Sequence, residues 1–273
     1  MFKTELTTDQ ATAVLKRFVE DGKFRSKFLS NLRKRGEEIY HLDISPRVLS
    51  SISADLFSDY LLLNESLILD EGLSSEHVKL TLSKILERKT RKKRIIFRCD
   101  LSAVAPELLA KSLVKLEKTS FIQQASLSTD QANAIFREIA RCEELDLRDI
   151  SLLSQVAQDT DLCSLDTGIL AEAIVRMRSV YLGAHLTPHQ AEAIFTKVTL
   201  TENLKLANLE IRSDLSSVSG DLLRQSLVRL KRVRVLGANL REEQINLVRE
   251  IPGMEGKYTD KLLAVYIKVE AVE

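Results

Sequence analysis

Asp214-Leu-Ser-Ser-Val-Ser-Gly-Asp-Leu-Leu-Arg-Gln-Ser-Leu-Val-Arg-Leu230 is nearly a copy of an earlier stretch of the same chain. Asp100–Leu116 reads DLSAVAPELLAKSLVKL, and 10 of the 17 aligned positions are identical. A second phrase interleaves with the first. Leu127–Phe136, LSTDQANAIF, recurs at Leu186–Phe195 as LTPHQAEAIF and stands near the start as Leu6–Leu15, LTTDQATAVL. Two alternating units at a regular period are the signature of a solenoid, in which each unit buries its apolar face against the next.

Both phrases read as helices. Thr7, Ser128 and Thr187 each stand three residues before Gln10, Gln131 and Gln190. That is capping-box spacing: the hydroxyl takes a first-turn N–H while the glutamine reaches back. Pro188 falls at the first helical position, where a missing N–H costs nothing. Ala132, Ile135, Phe136 and Ile139 form an i, i+3, i+4, i+7 stripe, and Leu108, Leu109, Leu113 and Leu116 read as a helical apolar face in the other phrase.

Between the helices lie apolar triplets spaced L-x-x-L-x-L, expected as short strands. Ile39/Leu42/Ile44, Met177/Val180/Leu182, Leu230/Val233/Val235 and Leu262/Val265/Ile267 fit fully. Leu67/Leu69, Ile95/Phe97, Leu145/Leu147 and Leu204/Leu206 supply the last two positions, and Phe121 the last alone. Alternation along a strand then buries two side chains and exposes their neighbours. Two places break the rhythm. The step from Leu147 to Leu182 is long, with a polar stretch over 154–161, and the first helical unit is enlarged by the basic segment Asp21–Glu38. The expected architecture is α/β: parallel strands on a concave face and helices on a convex face, curved into a horseshoe. It forms a single array over residues 1–273, with a helical part-repeat at 1–38, alternating repeats at 39–251, and a final strand and tail at 252–273.

These units resemble leucine-rich repeats of the ribonuclease-inhibitor-like subtype. The mean step of about 28 residues lies in that range, and Phe97-Arg-Cys99-Asp-Leu101-Ser102 is similar to the L-x-x-C-x-L-[ST] corner of the class. The resemblance implies a binding array, as in ribonuclease inhibitors and in the sensing arrays of nucleotide-binding leucine-rich repeat immune receptors. Ribonuclease inhibitors are cysteine-rich and acidic; this chain has 3 cysteines and a formal net charge of +1. The asparagine typical of the corner is replaced, by Asp100 or Ala238 for example. The immune-type array is the closer analogy.

Composition agrees with a core-forming chain, 44% hydrophobic and 29% charged. No opening apolar run marks a signal peptide, and no stretch is apolar enough for a membrane span. A reduced, soluble, cytoplasmic protein is expected. Glycine-loop, G-x-S-x-G, C-x-x-C and H-E-x-x-H signatures do not occur, so no enzyme activity, metal or cofactor is expected. His185 and His189 read as solvated, and Cys99 as a small buried residue. The basic runs Arg88–Arg94 and Arg229, Lys231, Arg232, Arg234 read as solvated turns. No aromatic platform accompanies them, which argues against nucleic acid.

The best ligand-binding candidates are the outward strand positions, which stacking aligns into one surface: Arg98, Asp146, Arg148, Tyr181, Lys205 and Arg234, with Ile96 and Ile122 in an isoleucine row begun by Ile68. Tyr and Arg commonly anchor interfaces. The expected function is recognition of a protein or a microbial surface component on the concave face, in the manner of innate immunity. The alternatives are a ribonuclease-inhibitor-like blocker of an enzyme, and an assembly element that self-associates through its terminal strand.

Overall fold

The computed structural model describes residues 6–34, 46–64, 66–70, 72–87, 92–122, 125, 127–143, 145, 147–152, 162–251 and 269–270. Among these residues the chain opens with four helices, α1 (Thr8–Glu20), α2 (Gly22–Lys34), α3 (Pro46–Ser51) and α4 (Ala54–Leu62). Strand and helix then alternate: β1 (Ser66–Leu69), α5 (Ser75–Glu87), β2 (Lys92–Phe97), α6 (Pro106–Leu113), β3 (Leu116–Phe121), α7 (Thr129–Arg141) and β4 (Asp149–Leu152). The series continues with α8 (Thr167–Arg176), β5 (Ser179–His185), α9 (Pro188–Leu200), β6 (Asn208–Arg212), α10 (Gly220–Leu227), β7 (Arg232–Leu236), α11 (Glu242–Arg249) and β8 (Val269–Glu270).

The strands form one open sheet in chain order, β1 to β8. The first seven are parallel, and β8 runs antiparallel to β7, with Arg232 opposite Glu270. From α4 onward each helix packs against the helices before and after it, as α4 on α5 and α9 on α8 and α10. Parallel neighbours in chain order follow from the connections, because among the described residues a helix lies between each strand from β1 to β6 and the next, and the chain crosses back through it to the same edge.

Two apolar rows face the helices. One runs Leu67, Ile95, Thr119, Ile150, Val180, Leu209, Val233; the next includes the buried Leu69, Phe97, Phe121, Leu182, Ile211 and Val235, with Leu152 at its β4 register position and the β5–β6 register shifting after Tyr181. Phe97 and Phe121 stack with ring centroids 5.0 Å apart. For β3 to β7 the residue three before the pair is also buried: Leu116, Leu147, Met177, Leu206 and Leu230. The true triplets are therefore Leu147/Ile150/Leu152 and Leu206/Leu209/Ile211. This corrects the sequence register at two strands, where Leu147 and Leu206 open the triplet instead of closing it. The long step disappears. From Leu69 through Phe97, Phe121, Leu152, Leu182 and Ile211 to Val235, the steps are 28, 24, 31, 30, 29 and 24 residues.

All three expected capping boxes form in both directions, at Thr7/Gln10, Ser128/Gln131 and Thr187/Gln190. The buried glutamines do more. Gln131 Nε2 donates to the carbonyls of Leu101 and Val104, and Gln190 Nε2 to those of Leu162 and Leu165, at 2.7–3.1 Å. Gln244 repeats the arrangement with Leu215 and Val218, while its Oε1 accepts from the Arg241 N–H. Each ties its helix to the turn of the preceding unit. The helices are stitched as well: Ser112 Oγ reaches the Leu82 carbonyl at 3.2 Å, and Ser226 Oγ reaches that of Phe195 at 2.9 Å.

The expected strands around Ile39–Ile44 and Leu262–Ile267, the polar stretch 154–161 and the strand-edge association site at the end of the chain lie outside the described residues, apart from Val269–Glu270. No helix among the described residues is long and apolar enough to cross a membrane.

Candidate functional site

The sheet face turned away from the helices carries two side-chain rows. The central one runs Ile68, Ile96, Ser120, Ser151, Tyr181, Glu210, Arg234. Its first three members are buried, with Ile68 5% and Ile96 3% exposed, so the isoleucines offer a ligand almost no area. Ser151, Tyr181 and Glu210 are half-buried and Arg234 is exposed. Arg234 Nη1 lies 3.5 Å from Glu210 Oε2. The accessible stretch is therefore centred on Tyr181, whose ring stands between a serine and a carboxylate on the neighbouring strands. In the adjacent row, Lys118 Nζ and Asp149 Oδ2 are 3.7 Å apart.

Tyr181 and Arg234 thus occupy the positions expected of them. Arg98 and Ile122 follow β2 and β3 directly, their N–H groups bonded to Leu69 and Phe97 carbonyls, and both are half-buried. Asp146 lies outside the described residues. Arg148 and Lys205 are not on the strand face: they precede β4 and β6, displaced by the register error.

They meet elsewhere. Below the strand starts the backbone ladder continues for one more rung: Arg148 N–H to Glu117, Arg178 N–H to Arg148, Ala207 N–H to Arg178 and Lys231 N–H to Ala207, all to carbonyl oxygens at 2.6–2.9 Å. Ala207 is the short member of this rung between long cations. The resulting cleft has a volume of about 430 Å³ and is lined by Leu145, Leu147, Arg148, Arg178, Lys205 and Lys231 among others. Arg148 Nη1 pairs with Glu117 Oε1 at 3.1 Å. Arg176, also in the lining, is held by Glu172 at 2.9 Å and the Cys142 carbonyl at 3.0 Å. Arg178, Lys205 and Lys231 are exposed and have no side-chain partner among the described residues. Sequence inspection missed this cluster because its cations come from four units. Only the Lys231 end belongs to a visible basic run.

The remaining chemistry-bearing residues are dispersed. Cys99 is buried, and burial pushes its thiol up to about 12, outside the range of a reactive thiolate. His185 and His189 are exposed. Among the described residues no group of three or more His, Cys, Asp or Glu converges as a metal site. Arg229, from the second basic run, is half-buried, and its guanidinium ends α9 by donating to the carbonyls of Val198, Thr199 and Thr201. In comparisons with known proteins, no family model matches the chain, and no curated protein matches it.

Proposed function

We propose that the chain is a non-enzymatic recognition module, a leucine-rich repeat horseshoe of the ribonuclease-inhibitor-like type, that binds a protein ligand on its strand face. The observation that carries this reading is the in-register row Ser151, Tyr181, Glu210, Arg234, which puts an aromatic on β5 and a guanidinium on β7 with the Glu210 carboxylate on the strand between them. Strand order equal to chain order and steps of 24–31 residues support the repeat assignment. A tyrosine flanked by polar groups on a flat surface is the composition of an interface centre.

The test is affinity for the ligand recovered with wild-type protein. Tyr181→Ala should lower it roughly 30-fold, the equivalent of about 2 kcal/mol for an interface anchor. Arg137→Glu, on the exposed side of α7, should leave it unchanged. A ligand indifferent to Tyr181 and Arg234 but lost on Arg137→Glu would place binding on the helices and end the proposal.

A further inference from the structure

We infer that the cleft beneath the starts of β4 to β7 is a second, separate binding site, and that its ligand is a small soluble molecule carrying clustered phosphates. Elsewhere along this edge cations close the ends of helices. Lys115 Nζ donates to the Leu86 carbonyl at 2.7 Å, Arg176 to that of Cys142, and Arg229 to those ending α9. These side chains hold the C-terminal end of the preceding helix, where a positive charge also meets the negative end of the helix dipole. Arg178, Lys205 and Lys231 do nothing of the kind. They stand at one opening with no carboxylate or carbonyl partner among the described residues.

Like charges gathered around one cleft repel, and a group of this kind raises the local potential for an anion. The lining holds five cations, Arg148 and Arg176 among them, and the carboxylates of Glu117 and Glu172 neutralise only those two. Among the described residues three positive charges remain over about 430 Å³.

The size of the opening decides between anion classes. An extended acidic peptide advances about 3.3 Å per residue and presents alternate side chains, so carboxylates on one side are about 7 Å apart. Few of them fit the cleft at once. Each phosphate monoester brings about −1.5 to −2 charges at pH 7, so two adjacent phosphates match the surplus within the available space. Arg178 supplies a planar fork for two phosphate oxygens, and the lysines supply mobile point charges. The ladder occupies the backbone N–H groups of residues 148, 178, 207 and 231, leaving recognition to side chains. Ala207 is what keeps the space open: a larger side chain on that rung would fill it without altering any charge.

Inorganic tripolyphosphate is the probe, titrated calorimetrically into the full chain. Saturation at one equivalent is expected. Lys205→Ala with Lys231→Ala should weaken binding at least tenfold, and so should Ala207→Leu, which preserves all five cations. Arg234→Gln, on the strand face, should leave it within twofold. Arg178→Gln provides the same readout from an exposed position if Ala207→Leu fails to fold, as judged by its thermal unfolding. Binding that survives closure of the cleft, falls equally with Arg234→Gln, or is absent while a hexaglutamate peptide saturates would overturn the assignment. None of these results bears on Tyr181, so the strand-face proposal stands or falls separately.

Discussion

Single glutamines carry much of the connection between units. A glutamate at the third helical position could accept the N-cap N–H as well as a glutamine does, but it has no N–H to donate. Glutamine at 131, 190 and 244 is therefore a readable signal that a carbonyl partner is wanted. The capping spacing was legible; the second arm was not, because its partners lie 25–30 residues earlier in the preceding turn. At Gln244 even the first arm was hidden, since Arg241 offers no hydroxyl. Gln190→Ala leaves the buried carbonyls of Leu162 and Leu165 short of a donor and should cost roughly 1–3 kcal/mol. Gln10→Ala removes the same cap arm at an exposed position and should cost less than about 0.5 kcal/mol. Urea midpoints decide it: equal shifts would mean that the arm to the preceding turn contributes nothing.

At the scale of elements, the sequence shows where a strand lies more readily than its register. Leu145/Leu147 and Leu204/Leu206 have the x-L-x-L spacing of an inward pair, and both precede a true pair, Ile150/Leu152 and Leu209/Ile211, by five residues. Both sets are apolar, so alternation alone ranks them equally; pairing with Val180/Leu182 and Val233/Val235 selects the second. The strand-face candidates on β5 and β7 were placed correctly because their triplets are complete, and Arg148 and Lys205 were misplaced by this ambiguity. Helix-to-helix contacts were equally invisible. Glu172 of α8 accepts from Lys197 of α9 at 2.6 Å and from Arg176 of its own helix at 2.9 Å. The hydrogen bond from Lys197, more than the one from Arg176, holds its carboxyl below the ordinary value of 4.5, against the opposing effect of burial. Its folded value being depressed, the stabilisation is complete above the unfolded value and is lost as pH falls through the folded one, the unfolded chain binding the proton first. Chemical denaturation between pH 6 and 3 should show a shallower acid decline for Glu172→Gln than for wild type. Superimposable acid limbs would remove the bridge between α8 and α9 from the account.

For the molecule as a whole, the consequence of chain-order packing is that stability is local. Among the described residues, every helix from α5 onward makes its main helix contacts with its sequence neighbours, and every strand from β2 to β7 pairs only with the one before and the one after. Free energy is then close to a sum of unit terms and nearest-neighbour interfaces, so damage spreads through interfaces and not through a shared centre. Two leucines allow the same chemical change at different places in the series. Leu182 lies on β5 with units packed on both sides, and Leu230 opens the β7 triplet near the far end of the sheet. Truncation of either to alanine removes a fully packed side chain and should cost roughly 2–5 kcal/mol locally. Native-state hydrogen exchange separates the outcomes. Leu230→Ala should speed exchange in β6, β7, α10 and α11 while the amides of β2 and β3 keep their protection. Leu182→Ala should release β4 to β6 together with α8 and α9, because it weakens two interfaces at once. Sub-global opening of this kind is expected only where cooperativity is limited to neighbours. If both variants accelerated every amide by the same factor, the molecule would be unfolding as one unit, and the stacking of independent neighbours would not describe its energetics.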